Sequence, residues 1–80
     1  MEKKSKIVWY SPNKHIIIAE AKSFYNDNKI IYIIYVEHRN YRKFNSKVFY
    51  DIKWVMERWE DTIEECKKYI EKLKDEVIED

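Results

Sequence analysis

The stretch SKVFYDIKWVMERWEDTIEECKKYIEKLKDEVIED, residues 46–80, decides the fold, because two periodicities compete for it. Phe49, Ile52, Met56, Trp59, Ile63, Cys66, Ile70, Leu73 and Val77 recur at steps of three and four. That spacing puts nine side chains on one stripe of a helix, with no Gly or Pro to interrupt it. The competing pattern is the alternation of Val48, Tyr50, Ile52, Trp54 and Met56, which reads as a strand. Thr62 with Glu65 then has the spacing of a capping box and would open a shorter helix. The unbroken ladder favours one long helix over about residues 46–79 with Ser46 as its N-cap; a fourth strand over residues 48–56 is the alternative.

The residues before this stretch read as strands over about residues 6–44. Residues 7–10 make a short strand, and Ser11-Pro12-Asn13-Lys14 a turn in which Pro fixes the second position and Asn tolerates the third. Residues 15–25 and 29–41 follow as longer strands, joined by Asn26-Asp27-Asn28 in a chain that has no glycine. A two-residue loop at Asp27-Asn28 would pair Tyr25 with Ile30, Ser23 with Tyr32, Ala21 with Ile34 and Ala19 with Val36. Ala19, Ala21 and Ser23 would then form a trough for the helix, leaving Ile16, Ile18, Glu20, Lys22 and Phe24 with Ile31, Ile33, Tyr35, Glu37 and Arg39 on the opposite face. The expected class is α+β: a three-stranded (in the alternative, four-stranded) antiparallel meander with one long C-terminal helix packed across one face, a single domain over residues 1–80.

Eighty residues bury only about 60–65% of the unfolded surface, so a small core and a partner are expected together. The third strand would lie at a sheet edge with the apolar run of residues 30–36 exposed to pairing, and a homodimer is the expected remedy. The longest apolar run is too short for a membrane span, one cysteine forms no internal bridge, and arginine-rich or Ala-x-Ala export patterns are missing. Those features point to a reducing cytoplasm and away from membranes. Residues 1–50 carry ten Lys or Arg against four acids, and residues 51–80 six against eleven, so the strand part is basic and the helix part acidic. Twelve Ile against one Leu, and thirteen Lys against three Arg, are the usage of an AT-rich genome such as many phages and mobile elements have.

Glu20-Ala21-Lys22 after Ile16-Ile17-Ile18 resembles the E-x-K strand of metal-dependent restriction-type nucleases, in which the carboxylate holds a metal ion and the lysine stabilises charge on phosphate. The family's preceding aspartate is missing, since Glu2 is the only acid before Glu20, and charge alternation on an exposed strand accounts for the triplet. His15 and His38 are expected at strand ends and lack the further ligands a zinc site needs; Cys66 falls on the ladder as a core thiol. No Gly-rich phosphate cradle exists. No catalytic residue, metal site or cofactor is therefore assigned.

Two binding surfaces remain. Tyr50, Trp54 and Arg58, on the helix face turned away from the ladder, have the composition of an interface hot spot, and Tyr35 and Ile33 lie on the mixed strand face. Residues 38–47 interleave cations with aromatics, so Arg39, Tyr41, Arg42, Lys43 and Lys47, with Lys22, are candidates for contacting nucleic acid. A net charge of only +1 argues against a dedicated nucleic-acid binder. The expected function is a non-catalytic protein-binding module, a phage or mobile-element inhibitor of a host defence protein; nucleic-acid binding is the alternative.

Overall fold

The computed structural model describes residues 6–26 and 28–79. Among the described residues five strands and one helix follow in the order β1 (Lys6–Tyr10), β2 (Ile16–Lys22), β3 (Ile30–Phe44), β4 (Lys47–Glu60), α1 (Ile63–Ile70) and β5 (Ile78–Glu79). The first four strands form an antiparallel meander ordered β1-β2-β3-β4, and β5 pairs parallel with β3 at His38 and Arg39.

The long helix over residues 46–79 does not form: residues 47–60 are a strand, and α1 spans only Ile63–Ile70. The reason lies at Asn45 and Ser46, whose φ values of 50° and 64° make the two-residue turn with both central residues left-handed that joins β3 to β4. Phe44 pairs directly with Lys47 across it. Ser46 is thus a turn residue, not a helix cap. Once the chain has reversed here, Val, Phe, Tyr, Ile and Trp side chains suit a pleated surface better than a helix, and the alternation of residues 48–56 prevails over the ladder. The ladder survives from Ile63 onward. Thr62 is the N-cap, accepting from the Glu65 N–H at 3.1 Å and donating to the Glu65 carboxylate at 3.0 Å.

The β2–β3 register also departs from expectation. Ala19 pairs with Ile33, Ala21 with Ile31 and Lys22 with Ile30, a shift of three residues, and Ser23 N–H donates to Lys29 C=O at 2.9 Å to close a longer loop. Asp27, on which the shorter loop was placed, lies outside the described residues. An odd shift exchanges partner faces. Ile16 and Ile18 now share a face with Ile34 and Val36, and α1 packs there rather than on the alanine trough. The core is Ile16, Ile18, Ile34, Val36, Cys66 and Ile70, flanked by Val8, Trp9, Tyr32, Ile63, Tyr69 and Leu73. Burial pushes the Cys66 thiol up to about 11, the nearby Glu60 carboxylate adding to the effect, and its Sγ lies 3.5 Å from the Tyr32 carbonyl. It is a packing group.

β3 is an interior strand, so the edge expected there belongs instead to β4. Beyond Val36, β3 has no β2 beside it, and β3 and β4 run on as a two-stranded ribbon that β5 braces only at His38 and Arg39. The ribbon accounts for extents of 50 × 34 × 17 Å and a radius of gyration of 14.8 Å, against about 12 Å for a compact chain of this length.

Asp75 ties the C-terminal segment to the β1–β2 turn. Its carboxylate accepts from Ser11 Oγ and the Asn13 N–H, both at 2.6 Å, and from the His15 N–H at 3.3 Å. The turn itself closes through Lys14 N–H to Ser11 C=O at 2.9 Å, and it is Lys14, at φ 63°, that takes the left-handed conformation. Partial burial raises the Asp75 pKa, but the hydrogen bonds from Ser11, Asn13 and His15, with the charge of His15, outweigh it and hold the carboxyl below its ordinary value.

A depressed carboxyl stabilises the fold fully above the ordinary range near pH 4 and progressively less as pH falls through the lowered folded value. Urea unfolding should therefore show Asp75→Asn to be less stable than the parent at pH 7, with the gap narrowing on acidification below about pH 4. Ile34→Ala, at a fully buried position, should cost roughly 2–5 kcal/mol, whereas Glu64→Ala on the exposed side of α1 should change stability by less than about 0.5 kcal/mol.

Candidate protein interface

Strand alternation places Ile17, Ala19 and Ala21 of β2 beside Ile31, Ile33, Tyr35, Glu37, Arg39 and Tyr41 of β3, and next to Trp59, Met56, Trp54, Ile52, Tyr50 and Val48 of β4. Register shifts at Ile7/Trp9 in β1 and opposite Ile34/Tyr35 in β4 restore the phase at each end, bringing Ile7 and Tyr10 onto the same face. This is the face α1 leaves open. Among the described residues no helix or strand lies across it.

Its centre is nonetheless dry. Ile17, Ala19, Ile31 and Ile33 are all nearly inaccessible, shielded by their larger neighbours. Ile7, Tyr10, Ile17, Ala19, Tyr35 and Trp54 line an apolar groove of about 380 Å³ on this face. Around it Trp54 (42% exposed), Met56 (49%), Ile52 (56%) and Tyr50 (54%) remain in solvent. An apolar surface this continuous is unusual on a protein that stays alone, because every square ångström left wet forgoes burial energy.

A polar cluster bounds the apolar region toward the ribbon. The largely buried Glu37 carboxylate sits 2.9 Å from His15 Nδ1 and 3.5 Å from the Arg39 guanidinium. Arg39 in turn lies 5.7 Å from the Tyr50 ring centre, and Tyr50 meets Tyr41 edge-on at 4.6 Å. Tyr41 donates to Glu79 at 2.7 Å, and that hydrogen bond to a carboxylate raises the phenol's pKa. These contacts hold the aromatic side chains of the ribbon in place.

Of the residues expected to bind a partner, Tyr50, Trp54, Tyr35 and Ile33 do share one surface, although a sheet rather than a helix brings them together. Arg58 does not join them. The extra residue in β4 turns it to the helix side, where it pairs with Glu60 and lies 4.9 Å from the Tyr69 ring centre. Ile7, Tyr10, Ile17 and Met56 complete the surface; the alternation of residues 48–56 points to Met56, and nothing local in the sequence points to Ile7 or Tyr10.

The nucleic-acid candidates are dispersed. Arg39 and Tyr41 are engaged as above, Arg42 pairs with Asp51 at 2.9 Å on the helix side, and Lys43 and Lys47 flank the ribbon tip. Lys22 pairs with Ile30 at the far end of the sheet, roughly 40 Å along β3 from Lys43. His15 and His38 point to opposite faces by alternation, and among the described residues no three His, Cys, Asp or Glu side chains cluster as metal ligands would. No helix among them is long and apolar enough to cross a membrane.

No protein-family model, curated protein or solved structure matches the chain.

Because the exposed Trp54 and Met56 side chains contribute little to the monomer's core, replacing both by Lys should leave the far-ultraviolet circular dichroism intact. The folded parent should bind an anilinonaphthalene dye, and the double variant should lose more than half of that fluorescence. Arg58→Ala, on the other face, should keep it.

Proposed function

We propose that this protein is a non-catalytic binding module whose open sheet face docks on an apolar patch of a protein partner. The observation that carries the reading is the uncovered surface running from Ile7 and Tyr10 across Tyr35 to Trp54 and Met56. Large aromatics lining a preformed apolar groove are the kind of anchor from which interfaces draw most of their energy. The residue usage of an AT-rich genome extends the proposal to a phage or mobile-element product that occupies a host protein, for example a defence nuclease.

A second reading, nucleic-acid binding, draws support from the ribbon tip, where Arg42, Lys43 and Lys47 surround the exposed rings of Phe44 and Phe49. Against it, Arg39 and Arg42 are already neutralised by Glu37 and Asp51.

Affinity capture from the native host, with the recovered protein identified by mass spectrometry and then titrated in purified form, tests the first reading. Trp54→Lys with Met56→Lys should weaken that purified complex at least roughly a hundredfold, about 2.7 kcal/mol, and Arg58→Ala should not. An affinity indifferent to the double substitution would overturn the reading. Gel-shift titration tests the second: if the tip binds duplex DNA, Arg42→Ala with Lys43→Ala and Lys47→Ala should flatten the salt slope by about two to three units. We expect no shift for the parent at physiological salt.

A further inference from the structure

We infer that the free edge of β4 pairs antiparallel with β4 of a second copy, about a twofold axis at Ile52. The turn at Asn45 and Ser46 makes Phe44 and Lys47 a hydrogen-bonded pair, so alternation points the N–H and C=O groups of Val48, Tyr50, Ile52, Trp54 and Met56 outward. Nothing among the described residues pairs with that edge. Proline is absent from the strand and the single register shift lies opposite Ile34/Tyr35, so the protection of this edge rests on charged residues such as Lys47, Asp51, Lys53 and Glu57, which a matching register can pair.

Symmetry restricts how two copies can join. In a twofold antiparallel pair the facing residues must point to the same side of the joint sheet, so they share parity and the axis passes through one residue. Centring on Tyr50 sets Lys47 against Lys53 of the second copy; centring on Asp51 or Lys53 sets that residue against itself; centring on Trp54 sets Asp51 against Glu57. Each of these four registers brings like charges together; centring on Val48 or Phe49 leaves at most five strand residues to pair, and centring on Val55 or Met56 draws the extra residue Glu57 into the middle of the joint pairing. Centring on Ile52 instead sets Asp51 against Lys53, Tyr50 against Trp54, Phe49 against Val55 and Val48 against Met56, with Lys47 reaching Glu57. Both charge pairs are opposite, and the rest are apolar or aromatic.

The same register supplies what the ribbon lacks. A two-stranded ribbon is marginal alone, and here residues 48–51 of each copy lie along residues 53–56 of the other, the last two of which pair with the part of β3 that β2 also flanks. About ten backbone hydrogen bonds would form across the axis. Because parity is kept, the two open faces lie on one side of a continuous sheet, and the docking surface proposed above is doubled without being covered. The inference does not depend on that surface having a partner.

Sedimentation analysis across concentration, with charge variants, tests it. The parent should sediment at twice the 10.0 kDa chain mass. Asp51→Lys and Lys53→Asp, each of which places two like-charge pairs in the interface, should weaken the dimer at least roughly tenfold. The combined exchange, Asp51→Lys with Lys53→Asp, should restore it. Lys53→Asp leaves the Arg42–Asp51 bridge in place, so its effect reports the intermolecular contact. A parent that stays at 10.0 kDa at several hundred micromolar, single variants that dimerise like the parent, or a combined variant that does not recover would each overturn the inference. Should a single variant fail to fold by circular dichroism, amide exchange on the parent decides. The Val48, Tyr50, Ile52, Trp54 and Met56 amides should be protected at high concentration and lose protection on dilution; unprotected exchange at every concentration overturns the pairing.

Discussion

Two non-glycine residues held at positive φ, Asn45 and Ser46, are the constraint from which the rest of the structure follows. Each left-handed residue without glycine's freedom costs on the order of 1 kcal/mol, offset here by the strand pairing that continues through thirteen residue pairs from Lys47 to Glu60. That reversal turns residues 47–60 from half of a long helix into a strand. An eight-residue α1 shields Ile16, Ile18, Ile34 and Val36, and the other face stays open because no further element among the described residues reaches it.

The C-terminal segment stays in place through local contacts of a different kind. Glu71 caps α1, and Leu73 N–H donates to Ile70 C=O at 2.9 Å, so the chain leaves the helix in a tight turn that still packs Leu73 on the core. Lys and Glu at residues 71–76 would have continued a helix readily. The pull that ends it is tertiary: Asp75 must meet the donors of the β1–β2 turn, and Ile78 must reach His38 on β3.

The strand arrangement through Tyr10 and Ile16, the turn at Ser11, the capping box at Thr62 and the core place of Cys66 could be read from residue types and spacing. The long helix could not be excluded locally, because Phe49, Ile52, Met56 and Trp59 satisfy a helical stripe while Val48 to Met56 satisfy alternation; only the turn chemistry of Asn45-Ser46, a weaker signal than Asn-Gly, separates them. The β2–β3 register was misread for a related reason. With no glycine to mark the turn, the loop between Ser23 and Lys29 had no fixed length in the sequence. The interface residues Tyr35, Trp54 and Tyr50 were visible as apolar and aromatic positions in need of a partner, but which of them share a face depends on parity, and one extra residue in β4 was enough to remove Arg58 from the set.

The clamp at Asp75 bears on the order in which the molecule assembles. Every long strand pairs with its neighbour in the chain, through connections of a few residues, so the meander can zip from its turns with little loop-closure entropy. Asp75 meets Ser11 across 64 positions of sequence, and β5 closes on β3 across about 40. These are contacts whose entropic cost falls sharply once the sheet and α1 exist. The segment from Glu71 to Glu79 is in this sense a latch on a finished sheet: its contacts shield the Leu73 side of the core, and the pairing of the four long strands does not run through them.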